Sequence, residues 1–238
     1  MKKLLAALLL TLPTMAMAID LEGYYITVKG GASKTFNTGT TSQVDNVSRL
    51  NTFQNEDLGT GSAFGFSVGK YLTDSFRLEL EAIKRTGYEF DAHLTNDGLT
   101  GNYDTAKIQT EALFINGFYD FQPFSLKSTS ITPYLGGGVG ISRNKMGTVE
   151  ERFDGDTDVN FVEGNTINQF AYKLSAGTLV SLTKQLSLDV NYQYVNLGAF
   201  KGGTVFSRNG VFSSNFQRGT NGGDIKTQEL MVGLQYKF

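Results

Sequence analysis

The chain has 238 residues, 28 of them Gly and 3 Pro, with 40% hydrophobic, 12% aromatic and 18% charged side chains. That balance is too apolar for disorder and fits a single domain. The absence of Cys excludes disulfide scaffolds, thiolate metal sites and cysteine nucleophiles, and a formal charge of −2 excludes general nucleic-acid binding.

Lys2 and Lys3 precede an apolar run from Leu4 to Leu12 and the small-residue end Ala16-Met17-Ala18. This is the pattern of a secretory signal peptide, residues 1–18, cleaved before Ile19. The apolar run is too short to cross a bilayer as a helix, and no longer one follows. If the exported chain enters a membrane, it enters as strands.

From there the hydrophobic period is two rather than 3.6. Eight segments are long enough to cross a bilayer as tilted strands: 24–32, 61–71, 76–90, 105–121, 131–143, 168–182, 186–200 and 225–238. In the third, Phe76, Leu78 and Leu80 alternate with Arg77, Glu79 and Glu81. In the seventh, Leu186, Leu188, Val190, Tyr192 and Tyr194 alternate with Ser187, Asp189, Asn191 and Gln193. The eighth sets Leu230, Val232, Leu234, Tyr236 and Phe238 against Glu229, Met231, Gly233, Gln235 and Lys237. The spacers run long and short in turn: 33–60, 72–75, 91–104, 122–130, 144–167, 183–185 and 201–224. This is the rhythm of an antiparallel up-and-down barrel with tight turns on one rim and long loops on the other. Thr73-Asp74-Ser75 and Thr183-Lys184-Gln185 read as tight turns, and Pro123 stiffens the middle short spacer.

Periodicity alone does not say which face is inside, because a soluble eight-stranded barrel around an apolar ligand alternates equally well. Side-chain character separates the two. The polar face carries Lys29, Arg77, Arg85, Lys173 and Lys237 against Glu79, Glu81, Asp120, Asp189 and Glu229, mixed with Gly65, Gly69, Gly136, Gly138 and Gly140. Balanced charge and small neighbours suit a confined interior, where buried ions must be paired. The other face places aromatics at strand ends (Tyr24, Tyr71, Phe76, Phe90, Tyr119, Phe121), as an interfacial girdle does. The expected fold is an all-β, eight-stranded transmembrane barrel spanning 19–238.

Two stretches resemble a known family. The stripe Leu230, Val232, Leu234, Tyr236 and Phe238, ending on an aromatic, resembles the assembly signal of Gram-negative outer-membrane barrels. The segments Asn116-Gly117-Phe118-Tyr119-Asp120-Phe121 and Thr132-Pro133-Tyr134-Leu135-Gly136-Gly137-Gly138-Val139-Gly140 are similar to the fourth-turn-fifth-strand signature of opacity and surface-antigen barrels. The resemblance is to the small eight-stranded outer-membrane barrels, including the transmembrane domain of outer membrane protein A, the neisserial opacity proteins and the rickettsial-type surface antigens. It implies an outer-membrane location, lipid around the barrel, and recognition by the barrel-assembly machinery.

An eight-stranded lumen is about filled by its own side chains. Ten ionisable residues there form a salt-bridged plug, or line a narrow path for ions or small solutes. The remaining places for function are the four long spacers, which this topology puts outside the cell. Loop 144–167 is acidic, with Glu150, Glu151, Asp154, Asp156, Asp158 and Glu163 against Lys145 and Arg152. Its run from Asp154 to Asp158 lacks the Gly and Glu of a calcium loop, since Val159 and Asn165 stand in those places. Loop 201–224 mixes Lys201, Arg208 and Arg218 with Phe206, Phe212 and Phe216, a combination suited to a sugar, a lipid headgroup or a host protein. The lone His93, between Asp91 and Asp97, does not make a catalytic constellation. No cofactor or metal is implied. The expected function is a non-enzymatic surface protein, with the barrel as anchor and the loops for adhesion. A low-conductance porin and a purely structural envelope protein are the alternatives.

Overall fold

The computed structural model describes residues 21–36, 38–39, 41–43, 50–52, 57–96, 99–127, 129–153, 159–208, 211–217 and 222–238. The signal segment 1–18 lies outside the described residues. Eight long strands form the barrel: β1 (Tyr24–Thr35), β2 (Thr60–Tyr71), β3 (Phe76–Asn96), β4 (Leu99–Asp120), β5 (Thr129–Met146), β6 (Asn165–Ser181), β7 (Leu186–Lys201) and β8 (Gly222–Lys237). Each pairs antiparallel with its sequence neighbours, and β8 pairs with β1 from Lys237 opposite Tyr25 to Thr227 opposite Thr35. The ring is closed, so the barrel has no unpaired edge to shield.

Two short turns share one chemistry. The Thr73 hydroxyl accepts from the amides of Ser75 and Phe76, while the amides of Leu72 and Thr73 donate to the Phe76 carbonyl. Thr183 repeats this with Gln185 and Leu186. The third short spacer holds a three-residue strand, Phe124–Leu126, that pairs back onto β5.

The outward face is apolar in a belt and polar above it. Phe76, Leu78, Leu80 and Ala82 on β3 end at Lys84; Tyr119, Ile115 and Leu113 on β4 end at Glu111; Leu135, Val139 and Ile141 on β5 end at Arg143. Corresponding ends on β1, β2, β6, β7 and β8 are Lys34, Ser62, Asn168, Asn196 and Gln228. Such a belt fits a hydrocarbon layer crossed by tilted strands of about ten residues.

Above this ring the structure departs from the sequence expectation. The spacer 91–104 is not a loop but strand, since β3 and β4 pair up to Asn96 opposite Leu99. Four shorter strands from the next two long spacers, Val149–Phe153, Val159–Val162, Val205–Arg208 and Val211–Gln217, extend the sheet from β4 in that order. At about 3.3 Å per residue, the 21 residues of β3 measure about 70 Å, far more than the bilayer needs.

Gly87 explains a second departure. It has φ +91° and sits in a bulge between Arg85 and Tyr88, where β3 slips against β4. The bulge exchanges the faces, so Tyr88 and Phe90 point inward although strict alternation sends them out. Phe90 is therefore not a girdle residue; it is buried, edge-on to Phe200 with ring centroids 6.2 Å apart. Tyr71 is a second correction: it lies on the inward face of β2, its hydroxyl 3.4 Å from Gln235. A matching bulge at Gly198 (φ +72°) turns Phe200 inward on β7. Because Val is excluded from this backbone region, Gly87→Val is expected to lower stability by about 1–3 kcal/mol. Urea unfolding in detergent, followed by circular dichroism, measures this.

Candidate functional site

The lumen is built in layers, each set by inward residues of facing strands. In the layer nearest the short turns, the Arg77 guanidinium of β3 donates from Nε to Asp120 of β4 at 3.0 Å. Its Cζ lies 4.4 Å from the centre of the Phe118 ring and 4.6 Å from that of the Tyr134 ring. The Tyr134 hydroxyl donates to Asp189 at 2.7 Å. Cation–π contact with two mutually perpendicular rings holds a desolvated guanidinium that one carboxylate alone would leave partly unmatched.

The middle layer is centred on Glu81, which is fully buried. Lys29 of β1 approaches it at 2.7 Å, Lys173 of β6 pairs with its other oxygen, and Asn116 of β4 donates to it at 2.9 Å. Asn116 also donates to Glu79 at 3.2 Å, and Glu79 lies 3.9 Å from Lys29. The Gly138 position faces Asn116 so closely that any Cβ there would strike the amide oxygen. The third layer pairs Arg85 with Glu229 through two bonds, of 2.5 and 3.1 Å. Ser33, Thr227 and Gln193 donate to the same carboxylate.

From the level of Glu81 upward an apolar cluster shares the lumen with the buried polar side chains Thr110, Ser142 and Asn144. Tyr88, Phe90, Ile108, Phe114, Met146, Val195, Leu197, Phe200, Ile225 and Met231 form one buried cluster, joined by Leu58. Asn144 donates to the carbonyls of Leu197 and Ala199, both at 2.8 Å, so β5 and β7 are tied across the interior. An ion moving along the axis would have to separate paired charges and then pass the packed apolar cluster.

Nine of the ten charged residues expected in the lumen are thus buried there, and Lys237 is not. It sits at the end of β8 on the short-turn rim, exposed, with its ammonium 4.4 Å over the Tyr71 ring. At the last paired position of β8 there is no wall beyond it to exclude water. Sequence reasoning set Gln193 on the polar face and missed the other neutral members, Asn116, Tyr134, Ser33 and Tyr88. Shared inward parity was the available signal for the first three of these.

The residues expected to make a surface contact are not brought together as a patch. Lys201 is exposed at the end of β7, but Phe206 is partly buried and packs against the lumen's apolar cluster. Arg208 pairs through its backbone with Asn160, and Phe212 with Ser207. Phe216 lies within Val211–Gln217, and Arg218 lies outside the described residues. In the acidic spacer Glu151 is buried, while Glu150 and Arg152 form an exposed pair at 3.3 Å. The run from Asp154 to Asp158 lies outside the described residues. The terminal stripe Leu230, Val232, Leu234, Tyr236 and Phe238 is exposed on the outward face.

Known proteins share this architecture. Outer membrane protein PagN of Salmonella typhimurium is 26% identical over 94% of this chain and 93% of its own length. A putative adhesin of Rickettsia bellii is 25% identical over 86% of this chain and 88% of its own. Neisserial surface protein A superposes with a TM-score of 0.52 at 14% identity, covering 91% of this chain and 98% of that one. OprG from Pseudomonas aeruginosa gives 0.55 at 15% identity, covering 91% and 96%. Residues 4–238 match the outer membrane protein beta-barrel domain. The chain belongs to that family and is a barrel of the bacterial outer membrane.

Proposed function

We propose that this is a non-enzymatic surface protein whose barrel anchors a strand-built crown outside the cell, where the crown binds a surface ligand. One observation carries the reading: the long spacers of one rim extend the barrel as a paired sheet, while the lumen below is closed by buried ion pairs and an apolar plug. Binding area is built where solvent is, and a route through the barrel is not. The Rickettsia bellii relative's designation as a putative adhesin supports the same reading. In this reading the signal peptide directs export, the barrel-assembly machinery reads the terminal stripe, and all long spacers lie outside.

Replacing 205–217 with a short Gly-Asn turn removes the crown's outer strands and leaves β7 and β8 paired. Bacteria carrying that variant should lose most of their adherence to host cells, at unchanged barrel level and heat-shifted migration. Protease treatment of intact cells tests sidedness independently: cleavage should fall in the long spacers. Cleavage at 72–75 or 183–185 would invert the orientation, and full adherence without 205–217 would end the adhesion reading.

A further inference from the structure

The lipid-facing wall is not uniform. Between β2 and β5 lies an apolar groove of about 730 Å³ lined by Val28, Phe64, Phe66, Ala82, Leu113 and Ile141. Its floor follows from sequence: Ala82 stands in one rung between Phe66 and Leu113, and a methyl group leaves a trough between taller neighbours.

The next rung up is charged. Lys84, Glu111, Arg143 and Asn168 stand side by side in register across β3 to β6, and Lys145 follows Arg143 on the same face one rung higher, opposite Gln109. Glu111 is committed to Lys84 at 2.8 Å, with both side chains more than half exposed. Among the described residues no carboxylate forms an ion pair with Arg143 or Lys145. Higher still, Lys107 stands opposite Glu89 and adds no net charge. Elsewhere the polar ring is Ser62, Asn196 and Gln228, with one isolated Lys34. The unmatched basic charge is therefore gathered over the groove, at the level where hydrocarbon ends.

An amphiphile with an acyl chain below and an anion above fits both parts, and a planar guanidinium beside an ammonium suits a phosphate. Such a ligand gains hydrophobic burial along the groove and charge-assisted hydrogen bonds at a partly desolvated boundary. We infer that the β2–β5 face is a binding site for a phosphorylated, multiply acylated glycolipid of the outer leaflet, with acyl chain in the Ala82 groove and phosphate on Arg143 and Lys145. The choice of leaflet rests on the sidedness proposed above, which places the loop rim outward.

The full chain folded in detergent, titrated with lipid A and read by native mass spectrometry, tests the site without reference to membrane sides. Failure here is thus distinct from failure of the protease experiment. The wild type should retain lipid A. R143E/K145E should bind at least tenfold more weakly, R143Q/K145Q should fall between, and A82W, which fills the trough, should also weaken binding. K34E, away from the groove, should match the wild type. Heat-shifted migration verifies folding of each variant; should the charge reversal fail to fold, the glutamine pair and A82W decide alone. Unchanged binding in the folded variants would overturn the proposal. So would equal loss with K34E, or equal retention of dephosphorylated lipid A or of phosphatidylglycerol.

Discussion

Glu81→Ala is expected to cost about 3–5 kcal/mol of barrel stability, the largest effect of any single substitution considered. The carboxylate neutralises two ammonium groups, Lys29 and Lys173, and accepts from Asn116. Removing it leaves two like charges facing each other in a space that excludes water, with Glu79, 3.9 Å from Lys29, as the remaining counter-ion. The second substitution K173M removes one orphaned cation and keeps its volume, so E81A/K173M should recover a substantial part of the loss. The chain contains no Trp, so unfolding is best followed in vesicles by circular dichroism and by the heat shift on gels. A loss below about 1 kcal/mol would mean that water reaches Glu81 and that the lumen is not sealed.

Ile115→Arg should cost about 2–4 kcal/mol in a bilayer, the next largest effect. Ile115 lies mid-belt on β4 between Leu80 and Val139 and is 62% exposed, which in this setting means exposed to acyl chains. Gln109→Arg, on the same strand and face but above the polar ring, should cost about 0–1 kcal/mol. Urea unfolding of both variants in phospholipid vesicles gives the comparison. Equal costs would show that the apolar belt does not mark the hydrocarbon layer.

The features legible in the sequence were those enforced by lipid on one side and a narrow lumen on the other. Alternation in β3, β7 and β8 set strand count, facing and the burial of Arg77, Glu79, Glu81 and Glu229, because each polar residue on the wrong face would meet hydrocarbon. What broke the rule was backbone. Gly87 is one of 28 glycines, and nothing in its neighbours marks it as the one that swaps faces and carries Phe90 inside. Tyr71 and Lys237 were misplaced for a simpler reason, since at the rim the inward and outward environments converge. The crown was hidden because its strands, four to seven residues each, are too short for a period of two to stand out; Val149, Val162 and Phe206 carry its apolar contact with the cluster below.

The candidate site was half legible. Counting formal charges found the ions and overlooked what holds them: Asn116, Phe118 and Tyr134 belong to the segments that carry the family resemblance, and they turn out to grip Glu81 and Arg77. The signature is thus a packing motif around buried ions.

The seam between β1 and β8 carries one further meaning. The amide of Phe238 donates to the Tyr24 carbonyl at 3.0 Å, so the staves farthest apart along the polypeptide are neighbours in space. No subset of staves can complete its own perimeter, and every half-made arc presents raw amides to oil. The molecule therefore has no stable halfway house inside the membrane: it is inserted as a whole hoop, or it must be escorted until the last stave arrives.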